Sequence, residues 1–193
     1  MNFSERGINL FLMRMLHMVV GKWFANRTVE HVPAMRRYAC TLVGDEQADD
    51  LVHEALTRAY ASHRNFRQDG NLGSWLLAIV HNCFVSGWRK RRVEGAGIEY
   101  LKHHSPSYMP PGQEHAVQLG ELARAIEQLP LDQRSAFHLV VVEDLSYEMA
   151  ASILHVPVGT IMSRLSRARA ALRRSIEGRP PSLRVVEGKN GRS

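Results

Sequence analysis

LSYEMAASILHVPVGTIMSRLSRARAALRR, residues 145–174, divides into a short helix, a tight turn and a longer helix. Ser146 is placed to cap the first helix, because its hydroxyl can accept an otherwise unpaired backbone N–H of the first turn. Met149, Ala150, Ile153 and Leu154 share one face, and the small Ala150 and Ala151 allow another helix to approach closely. His155-Val156 interrupts the pattern. Pro157 reopens it, since proline suits the first position of a helix. Ile161, Leu165, Ala168 and Leu172 then recur at spacings of four, three and four and form a buried stripe. The remaining face carries Thr160, Ser163, Arg164, Arg167, Arg169, Arg173 and Arg174, with no acid before Glu177. Polar side chains at the start of a second helix, with arginines beyond, are what a helix-turn-helix places in the major groove, where they meet base edges and phosphates. A solvated basic helix at the end of a bundle would share the charge, but not the agreement of turn, alanines and charge placement.

The rest of the chain fits around that element. A length of 193 residues suits one or two domains, and a net charge of +6 favours a polyanionic partner. Cys40 and Cys83 are far apart and form no CxxC, so neither a disulfide framework nor a zinc site is implied and a reducing compartment is expected. The most apolar run, residues 10–20, contains Arg14 and His17 and is too short to span a bilayer. No stretch alternates with period two, no glycine-rich phosphate loop is present, and the histidines and acids do not converge on a catalytic set. The expected fold is all-α: two small helical domains joined by a flexible linker, the second a helix-turn-helix domain.

In the first domain, residues 32–42 fit a helix ended by Gly44, and Leu10, Met13, Leu16, Val20 and Phe24 could form an apolar face before it. In the next helix, residues 45–60, Ala48, Leu51, Val52, Ala55, Leu56, Ala59 and Tyr60 give a long amphipathic stripe. Asp45, Glu46, Asp49, Asp50 and Glu54 load its first turns, which suits the helix dipole. Asp50 and Glu54, one turn apart, equally suit an acidic patch for a basic partner. Asn71 is placed to cap a third helix carrying Leu72, Trp75, Leu76, Ile79, Val80, Cys83, Phe84, Gly87 and Trp88, which ends in Arg89-Lys90-Arg91-Arg92. Trp75 reads as core. Trp88 beside four cations also offers what single-stranded nucleic acid requires. Residues 93–115 lose periodicity and collect Gly95, Gly97, Pro106, Pro110, Pro111 and Gly112, a linker composition. In the second domain Leu119, Leu122, Ala123 and Ile126 share a face, Pro130 stops that helix, Asp132 is expected to cap the next, and Ala136, Phe137, Val140 and Val141 are expected to be buried.

Three stretches together resemble the extracytoplasmic-function group of bacterial RNA polymerase sigma factors. ADDLVHEALTRAY (48–60) resembles the helix that grips the polymerase clamp, NLGSWLLAIVHNCFVSGWRKRR (71–92) the segment that melts and reads the −10 element, and residues 129–174 the domain that reads the −35 element. The resemblance implies an N-terminal extension (1–30), a region 2 domain (31–93), a linker (94–116), a region 4 domain (117–176) and a disordered tail (177–193). It implies that Asp50, Leu51 and Glu54 bind core polymerase, that Asn71, Trp88, Arg89, Arg91 and Arg92 contact the −10 element, and that Thr160, Ser163, Arg164 and Arg167 read the −35 element. The implied partners are core RNA polymerase, promoter DNA as duplex and melted strand, and an anti-sigma factor. No catalytic residue, cofactor, metal or membrane insertion is implied, and the location is cytoplasmic. His53 stands where the family commonly has Gln, Met149 where it has an acid and Met162 where it has Lys. Gly73-Ser74 replaces a common Arg-Ala pair, a change expected to loosen the helix start. The rival readings are a polymerase-independent helix-turn-helix regulator, which would need a dimer surface and a ligand pocket, and a helical enzyme with metal at His103, His104 and His115.

Overall fold

The structure is a computed structural model that describes residues 4–67, 70–93 and 115–177, with side chains described for 23–67, 70–91, 120 and 122–175. Among these residues every regular element is helical. The linker core with His103 and His104, the side chain of His115, and the tail beyond Glu177 lie outside the described residues.

The first module is three helices: α1 (Ser4–Val43), α2 (Asp45–Ser62) and α3 (Leu72–Val93), with a short 3-10 turn (His63–Asn65) after α2. The helix expected over 32–42 is the end of α1, which runs through Pro33. Gly44 separates α1 from α2 with φ at 80°, a left-handed conformation that glycine adopts without steric cost, and its N–H donates to the Cys40 carbonyl. Met35, Tyr38, Ala39 and Leu42 of α1 meet Ala48, Val52, Ala55 and Ala59 of α2 and Leu76, Val80 and Phe84 of α3 in one core. Phe24, within the stretch read as an extension, is buried and stands edge-on to Tyr60 and Trp75. The Leu10, Met13, Leu16 and Val20 side chains lie outside the described residues. Trp75 packs on Phe66 as well as Phe24, as its core reading requires.

The second module contains α4 (His115–Glu127), α5 (Leu131–Phe137), a π-helical segment (His138–Val142), α6 (Tyr147–Leu154) and α7 (Val158–Glu177). Ala125 and Leu129 pack on Ala168 and Leu172. Of the stripe expected at Ala136, Phe137, Val140 and Val141, Ala136 is buried and Phe137 and Val140 are partly buried against the core, whereas Val141 is exposed; Ser135, His138 and Leu139 are buried as well. Asp132 does not cap α5. Pro130 occupies that position, and Asp132 is paired elsewhere.

The two modules are packed on each other. Leu139, Ala150, Ile153, Leu154 and Ile161 join the first module's apolar core. Polar groups complete the junction. Arg37 meets Glu143 through two bonds of 3.0 Å, and the His138 ring reaches Thr41 Oγ1 at 2.9 Å and Glu143 Oε1 at 3.2 Å. His155 Nε2 lies 3.0 Å from Asn82 Oδ1. Burial alone would raise the Glu143 pKa, but hydrogen bonds from His138 and Arg37 outweigh it and hold the carboxylate ionised below its usual range. Behind this junction Tyr38 is fully enclosed, with its hydroxyl 3.0 Å from His81 Nδ1. Burial, with the positive charges of His155 and Arg164 nearby, pushes the His81 pKa from 6.5 down to about 4.

His81 therefore stays neutral in the folded chain at pH values where it would be charged in the unfolded one. Between those two pKa values the unfolded state binds the extra proton, so stability is fully present above about pH 6.5 and declines as the pH falls toward 4. Urea midpoints should drop across this window by the equivalent of about 2–3 kcal/mol. The His81→Gln chain, which has nothing to titrate there, should show a markedly flatter profile over the same range. An identical slope in both chains would remove His81 as the cause.

Candidate polymerase and promoter interfaces

The acidic face of α2 is not uniform. Arg36 of α1 reaches across to Asp45 at 2.9 Å and Asp49 at 2.8 Å, which neutralises those two acids within the module. Glu54 pairs with Arg58 one turn on, at 2.6 Å. Asp50 is exposed, and among the described residues no ion pair reaches it. It is the carboxylate best placed to meet an external cation. Leu51, expected on the docking face, is only 8% exposed and belongs to the module's own core. The period-3.6 stripe named it as both, and packing decides for the core.

At the start of α3, Asn71 does cap the helix: its Oδ1 accepts the Ser74 N–H at 2.9 Å. Ser74 Oγ donates back to the Asn71 carbonyl at 3.0 Å. Gly73 leaves room for this arrangement, since a Cβ there would stand 3.2 Å from His31 Nδ1 and 3.3 Å from Asn71 Oδ1. The Gly73-Ser74 pair thus ties the helix start instead of loosening it. At the other end Trp88 is half-buried, while Arg89 and Lys90 are exposed. The Arg91 guanidinium folds back over Gly87, where an added Cβ would be 3.5 Å from Nη1. Arg92 lies in α3, with its side chain outside the described residues.

The helix-turn-helix forms as its sequence dictates. Ser146 Oγ accepts the Met149 N–H at 3.2 Å. His155 ends α6 in a left-handed conformation with φ at 52°, and its N–H donates to the Ala151 carbonyl. The Thr160 N–H donates to the Pro157 carbonyl at 2.9 Å. Ile161, Leu165, Ala168 and Leu172 are all buried, so α7 turns its opposite face outward. Thr160 and Ser163 are half-buried near its start, and Ser163 Oγ donates to the Thr160 carbonyl. Arg167 is exposed. Arg164 is not an outward residue: its side chain is 20% exposed and its Nε lies 3.2 Å from Asp132 Oδ2, which braces α7 against α5. The outward arc also includes Met162, Ser166 and Arg169. Met162 lies beside the buried stripe and Ser166 farther round from it, so both are open to solvent; a reading by charge left Ser166 out of the outward face.

Comparisons with known proteins agree with this anatomy. Residues 29–94 match the family described as Sigma-70 region 2, and residues 119–172 match Sigma-70, region 4. The chain is 41% identical over 170 residues to the ECF RNA polymerase sigma factor EcfG of Rhodopseudomonas palustris, covering 83% of this chain and 92% of that protein. It is 30% identical over 185 residues to the ECF RNA polymerase sigma-E factor of Escherichia coli K12, covering 90% and 88%. A solved complex of the sigma factor RpoE with the anti-sigma factor NepR from Bartonella quintana contains a similar chain, with a TM-score of 0.70 and 34% identity over 81% of this chain and 98% of that one. The fold and the order of its two modules define a two-domain helical transcription factor. The chain belongs to the ECF RNA polymerase sigma factors. A polymerase-independent helix-turn-helix regulator is thereby set aside, because the region 2 module is present as well as the DNA-reading one.

The two caps carry separable stabilities. Asn71→Ala and Ser146→Ala should each lower unfolding free energy by about 1 kcal/mol in urea titrations. Asn71→Asp, which preserves the acceptor, should lose much less. Equal losses for Ala and Asp would show that Asn71 does not act as a cap.

Proposed function

We propose that the chain directs promoter-specific initiation by docking α2 on core RNA polymerase through Asp50, with Glu54 beside it, and by placing its two basic helices on separate promoter elements. In this reading Asn71, Trp88, Arg89, Arg91 and Arg92 hold the opened strand at the −10 element, and Thr160, Ser163 and Arg167 contact the −35 element. Arg164 supports α7 from behind through Asp132. Capture of an unstacked base costs a few kcal/mol, which phosphate contacts and pocket burial must offset. The protein acts without catalysis, in the cytoplasm; no helix among the described residues is long and apolar enough to cross a membrane. An anti-sigma factor is its expected regulator, as with the Bartonella quintana relative. The observation that carries the reading is the division of charge: an uncompensated carboxylate on α2, with exposed arginines on the ends of α3 and α7.

The packed arrangement of the modules also sets a requirement. Elements centred about 25 base pairs apart are about 85 Å apart along B-form duplex, at 34–36 Å per turn. The promoter-facing helices α3 and α7, of 22 and 20 residues, are each about 30 Å long and belong to modules that share one core, well short of that distance. The junction at Arg37, Thr41, His138 and Glu143 must therefore open before both elements are engaged. The α2 face takes no part in that junction, so polymerase can dock on the closed form first.

Run-off transcription with purified core enzyme tests the proposal. The wild-type chain should give a promoter-dependent product, and Asp50→Lys with Glu54→Lys should cut polymerase association and product at least tenfold, with the urea midpoint lowered only by the small amount that loss of the Glu54–Arg58 pair costs. Unaltered association by that doubly substituted chain would overturn the assigned docking face.

A further inference from the structure

We propose that Met162 is a specificity-determining residue that reads the C5-methyl group of a thymine in the upstream promoter element. The assignment rests on the proposed function above, in which α7 lies in the major groove.

A single exposed apolar side chain on a protein surface needs no explanation. Met162 is distinguished by its setting. It is 51% exposed, whereas Ile161, Leu165 and Leu172 of the same helix are buried, so it contributes little to the packing of α7. Its outward neighbours Gly159, Ser163 and Ser166 are small and uncharged. A Cβ added at Gly159 would meet nothing within 4 Å, so this end of the helix is open to close approach. Arg164, the only cation in the first two turns of α7, is drawn back to Asp132. The exposed arginines at 167, 169 and 174 follow in later turns. The helix thus presents a small, neutral first half with one large apolar side chain at its centre, then a cationic second half.

That order matches the chemistry of a groove. Residues at the start of a recognition helix face base edges, and cations farther along meet phosphates. Among the groups that base pairs present in the major groove, the thymine methyl is the apolar one. The others are hydrogen-bond donors and acceptors, which a thioether serves poorly. A long unbranched side chain with a polarisable sulfur can adjust to a methyl group without demanding a fixed geometry. Removal of one methyl from such a contact corresponds to about a fourfold loss of affinity.

Deoxyuridine removes the methyl while leaving every hydrogen-bonding group of thymine in place. Holoenzyme would be reconstituted from core polymerase and the full chain. Its affinity would be measured on promoter duplexes in which each upstream-element thymine, on either strand, is replaced in turn. Wild-type holoenzyme should lose about fourfold at one thymine. Holoenzyme carrying Met162→Ala should bind the unmodified promoter about fourfold more weakly and be indifferent to that replacement, whereas Met162→Leu should keep the sensitivity. Wild-type binding that is equal on every duplex would overturn the inference, as would a Met162→Ala holoenzyme that responds to the replacement as wild type does. A holoenzyme that forms no promoter complex on unmodified DNA would overturn the docking proposal itself, and the Met162 assignment with it.

Discussion

Glu143 is a carboxylate with only 8% of its side chain exposed, and its partners come from both modules: a hydrogen bond with His138 of its own and an ion pair with Arg37 of the other. Buried charge is costly unless it is paired and hydrogen-bonded. The two modules therefore share more than an apolar contact. Separating them transfers Glu143 to water and frees Arg37, which makes the polar part of the junction reversible. The apolar part, around Leu139, Ala150, Ile153 and Ile161, supplies the non-directional attraction that holds the closed form together. Such a junction holds the modules as one body and can release them without leaving a charge buried and unpaired.

The same junction organises the faces that remain. Because α6 and the π segment pack toward α1 and α3, α7 keeps its arginine-bearing side outward. Because α2 lies apart from the second module, its acidic side stays available. Arg36 sharpens that side by absorbing Asp45 and Asp49 and leaving Asp50. Two cationic helix ends and one acidic face thus coexist on a small chain without one neutralising another.

Much of this was legible in the sequence. The stripe of α7 has a clean 3.6 repeat, and Ser146, Asn71 and Gly44 each carry a local chemical reason for their positions, so caps, turn and buried face came out as expected. Other features were set by tertiary contacts that periodicity does not encode. His138 is buried and Val141 is exposed because His138 finds hydrogen-bond partners in Thr41 and Glu143, which a hydropathy pattern does not encode. Arg164 turned inward because Asp132 lies within reach only after folding. Leu51 fitted both a docking face and a core, and only packing distinguishes the two. Asp132 looked like a cap until Pro130 took that place.

The central claim is that one chain serves as a closed body in solution and as two separated modules on a promoter. Fluorescence energy transfer between labels at Ala61 of α2 and Ser175 of α7 measures this directly. The free chain should show one short separation, and the transcribing holoenzyme on its promoter should show a separation longer by tens of ångströms. Productive initiation with the short separation unchanged would contradict the account.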